Sequence, residues 1–482
     1  MGPTKFTPDH SGTSRHAHPS TRPHARASRR RRADLRCVSP RLGGRALADR
    51  STARLEVRWG DPRGDRISGP RPGAPDRGQG DASRPRRAEK GGYQGSSLSC
   101  PHCHEAAKFI AYRPKSLVSL LGDLRLERAY YHCPHCHRGS VPWDEVVRLS
   151  NDALTPAARE VVCLAGLLSS FAEGSTAALP KLTGLRLSES TVERTTEAVG
   201  RAVAARLAEG EVFGAARDWD WHKDAEGKTC AYVSLDATGV GQQGPDGARA
   251  EGRMVTVAMV YNPVPEGKDR RARPDGPPPR FNVRYVAGLD GIAALGEPLR
   301  RQAAQVGRDR AERWIALSDG GSGLEDWLRT NFGRVEAVIL DFYHATEYLG
   351  DLGRALHPAD EEARAAWLGG WCHRLKHEGG AAVLDDLRGL EVRGRAAREA
   401  LTAVVRYFEN QSHRMDYPHY VAKGWAIGSG PVESACKTVI GQRMKGAGMR
   451  WGEDGADSVG HLRALFKSGD RQWDAYWYPA PN

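Results

Sequence analysis

From Thr229 onward the apolar residues stop recurring at helical spacing and bunch into short runs that suit strands. "CAYVSLD" reads as a buried strand closing at Asp236, "RMVTVAMVYN" as a second and "RFNVRYVAGL" as an alternating third. A helical pattern follows over 292–306. The strand "RWIALSDG" then closes at Asp319, a short helix covers 324–330, and "VEAVILDFYH" is a fifth strand closing at Asp341 before another helix. Antiparallel neighbours need only a turn, whereas parallel ones need a crossover. Three strands in a meander, then strands alternating with helices, therefore predict a mixed sheet in an α/β layer fold.

Upstream stand two Cys-x-x-Cys knuckles, Cys100/Cys103 in "CPHCHEAAKF" and Cys133/Cys136 in "YHCPHCHRGS". Four thiolates complete a closed tetrahedral Zn²⁺ site, and "LRLERAYYHC" supplies a hairpin strand between the pairs. His102, His104, His132, His135 and His137 are alternative nitrogen donors. The odd total of nine cysteines argues against a secreted disulfide framework. Residues 155–208 read as helices: "AAREVVCLAGLLSSF", "STAALPKL", a turn at Gly184, and "SESTVERTTEAVGRAVAARL" with Ser190 and Glu193 as a capping box. That order suits a helix-turn-helix or an ordinary helical bundle.

The net charge of +12 comes from one end. Residues 1–90 hold 22 Lys and Arg against 9 Asp and Glu, and the remainder 49 against 50. This Arg-rich start lacks apolar periodicity and is expected to be disordered, either a DNA-attracting arm or a reading frame begun upstream of the true protein. No apolar run of about 18 residues exists and no signal-peptide pattern occurs, so the expectation is a soluble, cytoplasmic protein.

Three strands end in acids: Asp236, Asp319 and Asp341. A fourth acid, Glu433, lies on the first turn of a helix that Pro431 opens after the turn Gly428-Ser429-Gly430. One such acid is ordinarily a turn or cap residue. Four converging on the carboxyl ends of neighbouring strands call for a cation, and hard oxygen donors suit Mg²⁺ or Mn²⁺. Two such ions about 3.5–4 Å apart clamp an in-line displacement at a phosphodiester.

The strand order and the acids resemble the ribonuclease H-like fold of DDE transposases. The wording "SLDATG", "DFYHATEYL" and "YPHYVAKGWAIGSGPVESACKTVIGQRMKGAGMRW" is similar to the ISKra-type family of bacterial insertion-sequence transposases, over about Ser99 to Trp473. The resemblance implies catalytic acids at Asp236, Asp319 and Glu433. It implies a supporting Asp341 with His344, matching the Asp/Cys-x-x-His motif of Mutator-like relatives. It further implies double-stranded DNA (terminal inverted repeats and target) as partner, and a homodimer or larger assembly on it. Arg443, Lys445, Arg450 and Trp451, among glycines, are candidate DNA contacts through phosphate pairing and base stacking.

The expected organisation is a disordered tail over 1–92, a zinc ribbon over 93–150 and a helical, helix-turn-helix-like region over 151–215. The catalytic core then covers 228–345, an all-helical insertion 346–425, and the returning helix with its basic loop 426–482.

Overall fold

The computed structural model describes residues 89–149, 153–263, 281–289 and 291–479, all within the unit Pro72–Asn482. The reading of the Arg-rich start therefore lies outside the described residues, apart from its last few positions.

The first sheet has β1 (Glu89–Gly91), β2 (Ser97–Ser99), β3 (Ala106–Ser119), β4 (Gly122–His132) and β5 (Gly139–Ser140). Its order is β1-β4-β3-β2, with β5 paired to β4. The hairpin β3–β4 fills the interval between the knuckles. Its small core is Ala107, Ala129 and Tyr131 together with Cys100 and Cys133.

Helices α1 (Pro142–Val146), α2 (Pro156–Leu168), α3 (Phe171–Glu173), α4 (Leu179–Thr183) and α5 (Glu189–Ala208) follow, with a π-helical turn at Gly174–Ala178. The cap of α5 is Ser188, two residues before the expected Ser190; its side chain accepts from the Thr191 N–H, and with Thr191 at the third position the expected box with Glu193 does not form. A box does form two helices earlier, at the start of α3, between Ser170 and Glu173.

The second sheet comprises β6 (His222–Lys223), β7 (Thr229–Gln243), β8 (Arg249–Asn262), β9 (Asn282–Gly288), β10 (Arg313–Ser318) and β11 (Val335–Leu340). Its order is β11-β10-β7-β8-β9, with β6 on β7. β7, β10 and β11 are parallel, while β8 pairs antiparallel with β7 on one side and with β9 on the other. One expectation needs correction here: β7 does not close at Asp236. It continues to Gln243 because β8 keeps pairing with it, Asp236 opposite Val257, after β10 has stopped at the Leu317–Ser234 pair.

Alternation along the strands builds two cores. Tyr232, Val257, Met259, Ile315 and Ile339 face one side, and Ala231, Val233, Ala258, Ala316 and Val338 the other. The second side is covered by α6 (Ile292–Gln305) and α7 (Leu324–Asn331), which contribute Leu295, Leu299, Trp327 and Leu328. On the first side lie α2 and α5, which bury Cys163, Leu167, Val199 and Val203 in the same core as the strands. Their third helix is thus a layer of the sheet fold, and its buried face is already taken.

Between 342 and 422 come α8 (Phe342–Leu356), α9 (Glu361–Gly389, kinked at Gly379), α10 (Arg395–Gln411) and α11 (Tyr417–Ala422). Leu375, Leu384 and Leu387 are buried as expected, and Trp367 and Trp371 only partly so. The chain returns through α12 (Gly430–Ala435), a π-helical stretch Cys436–Gly441, α13 (Gln442–Met444), α14 (Glu453–Lys467) and α15 (Gln472–Trp477). No helix among the described residues is long and apolar enough to cross a membrane.

Candidate functional site

Two sites are built by these elements. At the first, Cys100, Cys103, Cys133 and Cys136 bring their sulfurs within 4.8 Å of one another. The cross-knuckle separations are 3.6 Å (Cys100–Cys136) and 3.5 Å (Cys103–Cys133). Four thiolates at tetrahedral Zn²⁺ distance would stand about 3.8 Å apart, so the donor set fits that ion. The two knuckles repeat one geometry. Cys100 N–H donates to Glu105 O, and Cys133 N–H donates to Arg138 O. His104 and His137, each just after the second cysteine, take left-handed φ of 65° and 55°. His102, His104, His135 and His137 are exposed, and neither they nor the half-buried His132 join the four sulfurs in the cluster.

The second site lies where the parallel ladder ends. Asp236 projects from β7 just past the last residue of β10, and Asp319 follows β10 directly. The Asp236 carboxylate accepts from Ala237 N–H at 2.7 Å. Burial, and after it the neighbouring charge of Asp319, push its pKa above the ordinary carboxylate value, while the Cys436 thiol and His344 act in the opposite sense. Asp319 accepts from Gly321 N–H at 3.0 Å in the glycine loop that follows it. Neither aspartate is ion-paired to Lys or Arg among the described residues.

Asp341 is differently occupied. Only 2% exposed, it caps α8 by accepting from Tyr343 N–H at 3.0 Å. It also accepts from Ser429 N–H at 3.1 Å and the Ser429 hydroxyl at 2.7 Å. That hydroxyl lies 3.3 Å from Glu433 Oε1, so one proton serves the two acids. Gly428 lets the Tyr343 ring lie against the turn, since a Cβ there would stand 2.9 Å from it and push it aside. Together these contacts fix the turn that delivers the exposed Glu433 on the first turn of α12. Three residues later stands Cys436, near Asp236 and Glu433; burial, then the neighbouring Asp236, push its thiol pKa well up. His344, half-buried on α8, lies 3.6 Å from Glu347.

Asp236, Asp319, Glu433 and Asp341 thus share one rim without closing around one point. Among the described residues, only the cysteines bring three or more potential metal ligands within 4.8 Å. The hard oxygens and the mutual repulsion of Asp236 and Asp319 nevertheless suit a divalent cation better than any neutral neighbour.

The basic segment Arg443–Trp451, which starts within α13, divides in two. Arg443 and Trp451 are 3% and 5% exposed, which removes both from direct contact with DNA. The Arg443 guanidinium lies between the rings of Phe171 (4.5 Å) and Trp451 (4.8 Å) and donates to Gly166 O at 2.6 Å. Burial, then the nearby Arg463, push its pKa down to about 10. Arg463 donates beside it to Leu167 O at 2.6 Å and to the carbonyls of Thr438 and Val439. The Trp451 indole donates to Met444 O at 3.1 Å. An Arg in a glycine-rich loop reads as solvated, and only the packing of α2 on the returning helix reveals otherwise. Lys445 and Arg450 are exposed, with Lys445 bonded to the Thr238 hydroxyl beside the acids.

Sequence reasoning passed over Ser429, although it stands in the quoted glycine turn. It also missed Cys436 as a neighbour of Asp236. No model of a known protein family matches the chain, and no curated protein matches it either.

Proposed function

We propose that this chain is a DDE transposase of the ISKra type on a ribonuclease H-like fold. It would bind the ends of its own element and catalyse DNA cleavage and strand transfer. The observation that carries the reading is the Asp236–Asp319 pair at the end of the parallel ladder, with the charge of Asp319 acting on Asp236, neither ion-paired to Lys or Arg among the described residues, and with Cys436, three residues past Glu433, beside Asp236. The strand order β9-β8-β7-β10-β11, three antiparallel then three parallel about a shared β7, agrees with that fold.

Asp236, Asp319 and Glu433 would hold Mg²⁺ or Mn²⁺, which when bound supplies Lewis-acid stabilisation of a phosphoryl oxygen and a more acidic water. The protein's own part is positioning. The β7–β8 pairing fixes Asp236 and the end of β10 fixes Asp319, the Asp341–Ser429 bonds fix the turn before Glu433, and Lys445 sets a positive charge at the rim for a phosphate. The cysteine cluster would hold one structural Zn²⁺, and the ribbon would contribute to recognition of the element ends.

The test is a supercoiled plasmid carrying the element ends. Mg²⁺-dependent nicking and joined products are expected. Asp319→Asn and Glu433→Gln should each lower both by roughly 1,000-fold or more while end binding persists. Cleavage without joined products would favour a nuclease on the same scaffold. End binding with neither reaction would leave a DNA-binding protein only.

A further inference from the structure

The helical segment between Asp341 and Glu433 sends one buried cation into the catalytic rim. Arg414 follows α10 and is 2% exposed, an expensive place for a guanidinium whose nearest carboxylate, Glu325, is 3.9 Å away. Its donors are nearly all spent on the strand ends. Nε donates to Val338 O of β11 at 3.2 Å. Nη2 donates to Ser318 Oγ at 2.7 Å and Ser318 O at 3.3 Å, and Nη1 to Asp319 O at 3.3 Å. Ser318 O also accepts from Asp341 N–H at 3.0 Å, so one carbonyl joins the guanidinium to the start of α8. Gln411 buttresses the same fork, its Oε1 accepting from Nη1 at 3.0 Å and its Nε2 lying 3.5 Å from Gly320 O. One turn earlier, the Tyr407 hydroxyl sits over Gly320, where any side chain would collide with it.

A planar fork suits this task because it addresses several fixed acceptors at once, which an ammonium cannot do. Left alone, the Asp319-Gly320-Gly321-Ser322-Gly323 loop has little to hold it, since glycines leave the backbone broad freedom. We infer that Arg414 is the positioning residue for Asp319. On this view the helical segment sets the geometry of the second acid as well as spacing the third. The inference rests on the proposed function, in which Asp319 is that acid.

The experiment uses the full chain and compares Arg414→Met, Arg414→Lys and Asp319→Asn on the same plasmid. Arg414→Met, confirmed as folded by near-ultraviolet circular dichroism, should bind ends normally and cleave about 100-fold more slowly, the scale of a misplacement near 1 Å. Arg414→Lys keeps the charge and loses the fork, and should be nearly as slow. It is also the deciding variant if the methionine one does not fold. Arg414→Ala should regain rate when guanidinium is added at millimolar level, but not with methylammonium at the same ionic strength. A purely structural role would give no such selective rescue. Wild-type cleavage by a folded Arg414→Met or by Arg414→Lys overturns the inference, as does absence of guanidinium rescue. If Asp319→Asn also cuts normally, the functional reading itself has failed. If it is inactive while Arg414→Lys is unimpaired, only the positioning role has.

Discussion

If the proposed function holds, replacing Asp341 separates a scaffold carboxylate from a catalytic one. Asp341→Ala removes an N-cap, worth about 1 kcal/mol, and orphans the buried Ser429 N–H and hydroxyl at about 1–3 kcal/mol each. With some relaxation the sum is about 3–5 kcal/mol, a lowering of the melting midpoint by roughly 5–15 °C. Asp341→Asn should behave otherwise. Its oxygen still accepts from Tyr343 N–H and Ser429 N–H, and its amide can donate to Ser429 Oγ, which then turns its proton wholly to Glu433. Only the charge assistance is lost, about 1 kcal/mol. Cleavage should fall roughly tenfold, since the turn persists and the proposed function gives Asp341 a supporting place, away from substrate. The assay pairs thermal unfolding with metal-dependent plasmid cleavage for wild type, both variants and Asp319→Asn. If Asp341→Asn melts like wild type but is as inactive as Asp319→Asn is expected to be, while Asp319→Asn cuts, the triad runs through Asp341. If Asp341→Ala melts like wild type, the hydrogen-bond accounting is wrong.

Purified protein should carry about one Zn²⁺ per chain, and Cys100→Ser or Cys133→Ser should lower both zinc content and the stability of the ribbon; full zinc retained after both changes rules the cluster out as the site. Asp236 has a raised pKa in the folded chain, so the folded state holds its proton more tightly and stability falls as pH rises from the ordinary value of 3.8 through the raised one. Asp236→Asn should therefore melt above wild type at pH 7 and level with it near about pH 3; equal melting at pH 7 contradicts the environment described for that carboxylate. Lys445→Ala and Arg450→Ala should each reduce the salt slope of DNA binding by about one. Arg443→Met should instead lower thermal stability with no change of slope, and the reverse result would return Arg443 to the DNA surface.

The strands were legible because a sheet covered on both faces demands near-continuous apolar runs, and each run of the second sheet names its strand. The continuation of β7 beyond Asp236 was not, since "DATGVGQQ" is too polar and glycine-rich to read as strand without knowing that β8 pairs with it. An amphipathic pattern likewise says that a face of α2 and α5 is buried, not against what. That is why these helices read equally well as a DNA-binding unit. The four cysteines were legible from spacing alone, because the chemistry of the site dictates it. Arg414 and Arg443 carry no such mark: a buried guanidinium satisfied by carbonyls depends on chain segments remote in sequence.

The joint between ribbon and body has a consequence for how chains of this kind can recombine. Val118 at the end of β3 bonds to Ala153 O (2.7 Å) and accepts from Thr155 N–H (3.0 Å), and Arg148 reaches Trp477 O at 3.1 Å. The Val118 bonds are backbone to backbone, indifferent to the side chains on either side, and the third contact asks only for an arginine at 148. A crossover just before Ala153 would exchange one ribbon for another at little cost to the body. A crossover after α5 would sever the carbonyls of Gly166 and Leu167 from Arg443 and Arg463, and with them the support of the Glu433 helix. Inheritance should therefore cut this chain near residue 150, letting the cysteine module shuffle while α2 and α5 travel with the acids.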